Sequence, residues 1–66
     1  MFSVYHCYLK GEQQHMPFLA TFAQKPEAEW YAGMKLKRVG RPDDYMVIRE
    51  RSTGLKWEIF NTKDKE

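Results

Sequence analysis

The sequence predicts a small α+β domain with the element order ββαββ, in which one helix packs across an antiparallel sheet. Two runs rich in β-branched and aromatic residues, a central segment with helical periodicity, and a second pair of alternating runs indicate this fold. The chain has 66 residues, 42% of them hydrophobic, and a formal net charge of +2. That composition is typical of a folded chain rather than a disordered one. We expect a single domain over residues 1–62, followed by a charged tail over 63–66.

The first hairpin is predicted from the runs FSVYHCYL and PFLATFA, joined by the polar loop KGEQQHM. We expect His15 to be exposed in that loop. Apolar side chains occur on both faces of the first strand, so the pattern leaves open which face is buried. We expect the helix to cover one face and a partner subunit to cover part of the other. The two sets are Phe2, Val4, His6 and Tyr8 on one face and Tyr5, Cys7 and Leu9 on the other.

The helix is predicted to run from Pro26 to Arg38. Proline suits the first turn, where its missing N–H is not needed, and Glu27 and Glu29 lie near the positive end of the helix dipole. Gly40 is a suitable terminating residue. A helical period directs one apolar stripe toward the core. The stripe consists of Ala28, Tyr31, Ala32, Leu36 and Val39.

An alternative interpretation ends the helix at Gly33 and makes residues 34–39, MKLKRV, a strand. Under the helical interpretation, the basic residues of this segment complement the negative end of the helix dipole and need no ligand. Trp30 and Met34 lie beside the apolar stripe, together with the far side of Tyr31. They form either an exposed apolar patch, which often marks a contact site, or part of a helix that is buried over a wide arc. The sequence leaves both open.

The second hairpin is predicted from YMVIRER and LKWEIF around the turn STG, after a turn at GRPDD. We expect the register that places Arg51 opposite Lys56. In that register Arg49 faces Glu58, which is a favourable cross-strand pair. The core face is expected to carry Met46, Ile48, Trp57 and Ile59. The other face is expected to carry Tyr45, Val47, Arg49, Arg51, Lys56, Glu58 and Phe60.

The residue pattern predicts neither catalysis nor metal binding. The sequence has no phosphate-binding glycine loop, no GxSxG motif and no HExxH motif. Asp43 and Asp44 are adjacent in a turn, where carboxylates bond to backbone groups more readily than they converge on a substrate. His6 and Cys7 are strand neighbours that point to opposite faces, which excludes them as joint metal ligands. We therefore predict a non-enzymatic protein without a metal or cofactor, with Cys7 as a small buried hydrophobe.

The lone cysteine excludes an intrachain disulfide and favours a reducing compartment. The opening MFSVYHCYLKG lacks the pattern of a secretory signal, and no run approaches the ~20 apolar residues of a membrane span. We expect a cytoplasmic protein that does not insert into membranes. A domain of this size buries only about 60% of the surface of its unfolded chain, so a homo-oligomer or a permanent partner would add stability.

Three functions fit this composition. The first is a protein-binding module that docks on a larger partner to inhibit or adapt it, in the manner of small inhibitors encoded by phages and other mobile elements. Its anchors would be Trp30, Tyr31, Met34, Tyr45, Arg49 and Phe60. The second is a nucleic-acid-binding protein that uses a basic helix end and an aromatic and arginine sheet face. Its contacts would be Lys35, Lys37, Arg38, Arg41, Arg49 and Arg51. The third is a homo-oligomeric structural subunit with a self-complementary apolar surface.

Overall fold

The computed structural model describes residues 1–39 and 43–60, which form five antiparallel strands and one helix. In chain order these are β1 (Phe2–Lys10), β2 (Gln13–His15), β3 (Phe18–Phe22), α1 (Lys25–Val39), β4 (Tyr45–Glu50) and β5 (Lys56–Phe60). β4 pairs with one edge of β1 and β5 pairs with β4. On the other edge of β1, β3 pairs with the first half of the strand and β2 with the second half. The helix packs across one face, so the predicted α+β fold is confirmed, with β2 as an additional strand.

The first turn of the chain is tighter than the sequence predicted. β1 extends to Lys10, and Gly11 adopts a φ of 66°, a left-handed conformation that glycine accepts without strain. The chain returns at once as β2, in which His15 pairs with Tyr8. The two rings stack with centroids 5.2 Å apart and an interplanar angle of 16°. The prediction that His15 is exposed in a loop is therefore wrong: the residue ends a strand and is half-buried.

The chain between β2 and β3 contains Met16 and Pro17, and proline cannot donate a hydrogen bond to a strand ladder. The carbonyl of Pro17 instead accepts a hydrogen bond from the backbone N–H of His6, at 3.1 Å. The register of β1 against β3 shifts by one residue between Val4 and Tyr5. This irregularity leaves Phe18 on the same face of the sheet as Tyr5.

The helix spans Lys25–Val39, which confirms the longer of the two interpretations. The alternative strand over 34–39 is wrong, because those residues continue the helix without a break. Of the predicted apolar stripe, the side chain of Val39 lies outside the described residues, as does Gly40. Tyr31 packs on the edge of the core, with its ring centroid 5.2 Å from that of Phe22. Fully or nearly fully buried in the stripe are Ala28, Ala32 and Leu36.

The core lies between the helix and the sheet. Its buried members are Val4, Ala28, Ala32, Leu36, Met46 and Ile48, and around them pack Phe2, Leu19, Phe22, Tyr31, Trp57 and Ile59. The face of β1 that meets the helix is therefore the one with Phe2 and Val4, which the sequence alone left open. The predicted core face of the second hairpin is confirmed. On the opposite side of the sheet, Ser3, Cys7 and Val47 are also buried, although no helix of the described residues covers them.

The register of the second hairpin differs from the predicted one by two residues. Arg49 pairs with Lys56, and Val47 pairs with Glu58. The loop is closed at Glu50, whose N–H donates to the carbonyl of Leu55 and whose carbonyl accepts from the N–H of Gly54, both at 2.8 Å. The predicted opposition of Arg49 and Glu58 is therefore wrong. A shift of two residues keeps every side chain on its predicted face, because strand side chains alternate with a period of two.

Glu50 provides a physical reason for this register. Its carboxylate accepts hydrogen bonds from Thr53 Oγ1 at 3.0 Å and from Ser52 Oγ at 3.4 Å. The loop then ends at Gly54, which has a φ of 79° and therefore favours glycine. Local side-chain bonds and one left-handed residue thus fix a four-residue loop over residues 51–54.

A buried polar contact joins the start of β4 to β1. The imidazole Nε2 of His6 lies 3.0 Å from Oδ2 of Asp44, and only 5% of Asp44 is exposed. We expect Asp44→Ala to lower the free energy of unfolding by about 1–3 kcal/mol, because the partly buried imidazole of His6 loses this hydrogen-bond partner. Urea denaturation measures this, with Asp43→Ala as the control, since Asp43 is exposed. An equal loss of stability in the two variants would contradict a stabilising contact between Asp44 and His6.

Candidate functional site

The side of the sheet away from the helix, which we call the open face, carries the candidate site. Strand pairing arranges its side chains in three rows across the strands. The first row is Thr21, Ser3, Arg49 and Lys56; the second is Phe18, Tyr5, Val47 and Glu58; and the third is Cys7, Tyr45 and Phe60. Successive rows lie two residues apart along each strand, which is roughly 6.6 Å.

The first row is basic. Arg49 and Lys56 are direct cross-strand neighbours on the same face, and both are exposed. Arg51 extends the row at the start of the loop, where its backbone N–H donates to the backbone carbonyl of Met1 at 3.1 Å. Within residues 1–39 and 43–60, none of these three cations forms an ion pair. Like charges placed directly opposite each other destabilise a sheet, so an anion that binds beside this row relieves the repulsion and stabilises the sheet.

The second row is aromatic where it meets the basic row. Tyr5 and Phe18 are in edge contact, with ring centroids 5.7 Å apart and an interplanar angle of 67°. Phe18 is 55% exposed. A shallow groove of about 490 Å³ runs between this pair and the arginines, and an adjoining one of about 430 Å³ shares Tyr5 and Arg49 with it. The surface thus offers aromatic rings and positive charge side by side.

The third row is more closely packed. The ring of Tyr45 lies 5.5 Å from that of Phe60, and its hydroxyl accepts a hydrogen bond from the amide nitrogen of Gln14 at 2.8 Å. Cys7 is fully buried beside it, as the sequence predicted. Burial raises the pKa of the Cys7 thiol, the charge of Glu58 raises it further, and a hydrogen bond with Tyr45 opposes both. The thiolate is the reactive form of cysteine, so Cys7 is a poor nucleophile and a packing residue.

The proposed protein-binding anchors fall on two opposite sides of the molecule. Tyr45, Arg49 and Phe60 lie on the open face, and Phe60 is 59% exposed. Trp30 is 68% exposed on the outer side of the helix. Of the two alternatives for this surface, the exposed apolar patch is therefore correct and burial over a wide arc is not. Met34 lines a groove beside it. The remaining anchor, Tyr31, packs toward the core.

The proposed nucleic-acid contacts also divide between the two sides. Arg49 and Arg51 line the open-face groove. Lys37 and Arg38 are exposed in the last turn of the helix, on the opposite side of the molecule. Lys35 is half-buried, with its ammonium group 5.8 Å from the ring centroid of Tyr31. Arg41 lies outside the described residues. The basic residues that are close in sequence therefore do not form one patch with the arginines of the sheet.

Sequence reasoning missed three residues of this site. Tyr5 and Phe18 were ambiguous, because apolar residues occupy both faces of the first hairpin. Lys56 was placed on the correct face but was paired with the wrong residue. The alternation of side chains along β1 could have placed Tyr5, because once Val4 is assigned to the core, Tyr5 must lie on the open face.

The described residues contain no group of three or more histidine, cysteine, aspartate or glutamate side chains that could hold a metal ion. His6 and Asp44 are in contact on the side of the sheet that faces the helix, whereas Cys7 lies on the open face. No helix among residues 1–39 and 43–60 is long and apolar enough to cross a membrane.

Comparison with protein-family models, with curated proteins and with solved structures found no match for this chain.

Proposed function

We propose that the protein is a non-enzymatic binding protein for single-stranded nucleic acid and that the open face of its sheet is the binding surface. The observation that carries this proposal is the pairing of Arg49 with Lys56, next to the rings of Tyr5 and Phe18. Backbone phosphates would lie along the basic row, and bases would stack on the aromatic row. The lone buried thiol suits the reducing cytoplasm, where we place the protein.

Electrostatics support an anionic ligand. The open face carries three positive charges, on Arg49, Arg51 and Lys56, and one negative charge, on Glu58. A second carboxylate, that of Glu50, lies in the adjoining loop, where it accepts hydrogen bonds from Ser52 and Thr53. Since the three cations lack an ion pair within the described residues, they remain available to phosphates. Arginine also binds phosphate through two parallel N–H donors, which orients the ligand as well as attracting it.

The aromatic row supports a single strand over a duplex. Unpaired bases stack on exposed rings whatever their sequence, with about 1–3 kcal/mol per base, whereas paired bases present only their edges. Phe18 and Tyr5, on adjacent strands, place two aromatic rings beside the basic row. An acidic protein segment would use the same cations but would gain little from these rings.

Fluorescence anisotropy of a labelled oligonucleotide of about six residues tests the proposal, with single-stranded RNA, single-stranded DNA and duplex DNA compared. We expect the single strands to bind at low salt and the logarithm of the affinity to fall with the logarithm of salt with a slope of about −2, for three phosphate contacts. Arg49→Gln/Arg51→Gln should abolish this binding. Lys37→Gln/Arg38→Gln, which removes the same charge from the helix, should leave it unchanged.

Three outcomes would overturn the proposal: no binding at low salt, equal loss of affinity in both double variants, or polyglutamate competing as well as the oligonucleotide. The last outcome would assign the open face to an acidic protein segment.

Docking on a protein partner is the second candidate function, and one observation favours it. Trp30, the residue type most enriched at binding hot spots, is 68% exposed at the centre of the outer helix surface. This surface is separate from the open face, so the two candidates do not compete for the same residues.

A further inference from the structure

The outer surface of the helix carries a second, independent feature. Residues on its side away from the sheet recur at intervals of three and four and form a stripe. We call this the outer stripe, and it consists of Glu27, Trp30, Gly33, Met34, Lys37 and Arg38. Its acidic end is in the first turn, its basic end is in the last turn, and Trp30 lies between them beside a groove of about 380 Å³.

From this arrangement we propose that the outer stripe is an interface between two copies of this chain, with the two helices antiparallel about a twofold axis. Such an axis brings each surface against itself in reverse order. The midpoint between Glu27 and Lys37 is Ala32, and the midpoint between Trp30 and Met34 is the same residue. A twofold axis that crosses the outer surface at the height of Ala32, whose own side chain faces the core, therefore places both pairs in contact at once.

Charge complementarity selects a second copy as the occupant. In the antiparallel arrangement, Glu27 of each protomer meets the basic last turn of its partner, and this happens twice. A parallel arrangement would instead oppose like charges at both ends, which is destabilising. Within one chain, Glu27, Lys37 and Arg38 form no ion pair in the described part of the molecule, so their charges are available.

The middle of the stripe has matching shapes. Trp30 is the projecting group, and the adjacent groove is lined by Gly33 and Met34. A Cβ at Gly33 would meet nothing within 4 Å, so this glycine leaves space rather than a close internal contact. The indole of each copy would enter the groove of the other and contact the thioether of Met34, a favourable sulfur–aromatic contact.

The size of the contact predicts a weak dimer. A helix of 15 residues is about 22 Å long, so the outer stripe is smaller than a standard interface of ~800 Å² per partner. We expect association at micromolar concentrations and above, and weaker association at high salt. Because the helices meet at the centre, the two open faces point away from each other and remain accessible.

Sedimentation velocity from low micromolar to near-millimolar protein tests the proposal, with circular dichroism as the check on folding. Trp30→Ala should weaken self-association at least about tenfold. Glu27→Lys makes the stripe entirely basic, and Lys37→Glu/Arg38→Glu makes it entirely acidic. Each variant alone should remain monomeric, whereas an equimolar mixture of the two should associate as a heterodimer.

A wild-type protein that stays monomeric at near-millimolar concentration would overturn the proposal and leave the Trp30 surface to a different protein. Self-association that Trp30→Ala does not change, or a mixture that fails to associate, would overturn it as well.

Discussion

Ile48→Ala is expected to lower the free energy of unfolding by about 2–5 kcal/mol. Ile48 is fully buried in β4, a central strand, between Val4 of β1 and Trp57 of β5. Removing its outer methyl groups leaves a cavity that strands paired on both sides cannot easily close. For a chain of 66 residues the total stability is about 3–10 kcal/mol, so at the low end of that range a substantial fraction of the variant would be unfolded.

Chemical denaturation followed by circular dichroism measures this loss. Leu55→Ala is the matched control, because it deletes a similar aliphatic side chain from a residue that is 56% exposed. We expect that control to change stability by less than about 0.5 kcal/mol. If the two variants unfolded at the same denaturant concentration, the position of the core would be wrong.

Lys56→Glu is expected to change folding and binding in opposite directions. In the observed register the new carboxylate faces Arg49, so a repulsive cross-strand pair becomes an attractive one and stability rises by about 0.2–1 kcal/mol. The same change removes one cation from the open face and adds an anion beside the proposed phosphate contacts. Affinity for a single-stranded oligonucleotide should fall at least about tenfold at low salt.

The opposite signs make this variant informative, since lost binding cannot then be attributed to lost folding. Thermal denaturation and anisotropy on the same preparation give both quantities. The stability and the oligonucleotide affinity of Lys56→Gln should both fall between those of wild type and Lys56→Glu. A variant that is more stable and still binds at full affinity would remove Lys56 from the site, and a less stable one would contradict the register.

The helix illustrates what could be predicted from the sequence. Pro26 and Glu27 mark its start by local chemistry, and the period of its apolar residues directs Ala28, Ala32 and Leu36 toward the core. The alternation of the second hairpin likewise assigned its two faces correctly. These features depend on contacts between near neighbours and on periodicity, both of which are present in the order of the residues.

The candidate site was predicted only in part. Arg49 and Arg51 were assigned to the open face correctly, but Tyr5 and Phe18 belong to a hairpin whose two faces look alike in sequence. Their place was decided by the packing of Val4 against the helix. The exposure of Trp30 was undecided for a similar reason, since its burial depends on what the rest of the chain covers.

The sequence by itself determined the fold class, the helix, and the face of the sheet on which each side chain of β4 and β5 lies. Only the tertiary structure decided the register that opposes Arg49 to Lys56, the contact of His6 with Asp44, and the face of β1 that is buried. The physical reason is that parity is unchanged when a strand slips by two residues, so a hydrophobic pattern cannot distinguish such registers. The hydrogen bonds of one loop and the packing of distant strands distinguish them, and both exist only in the folded chain.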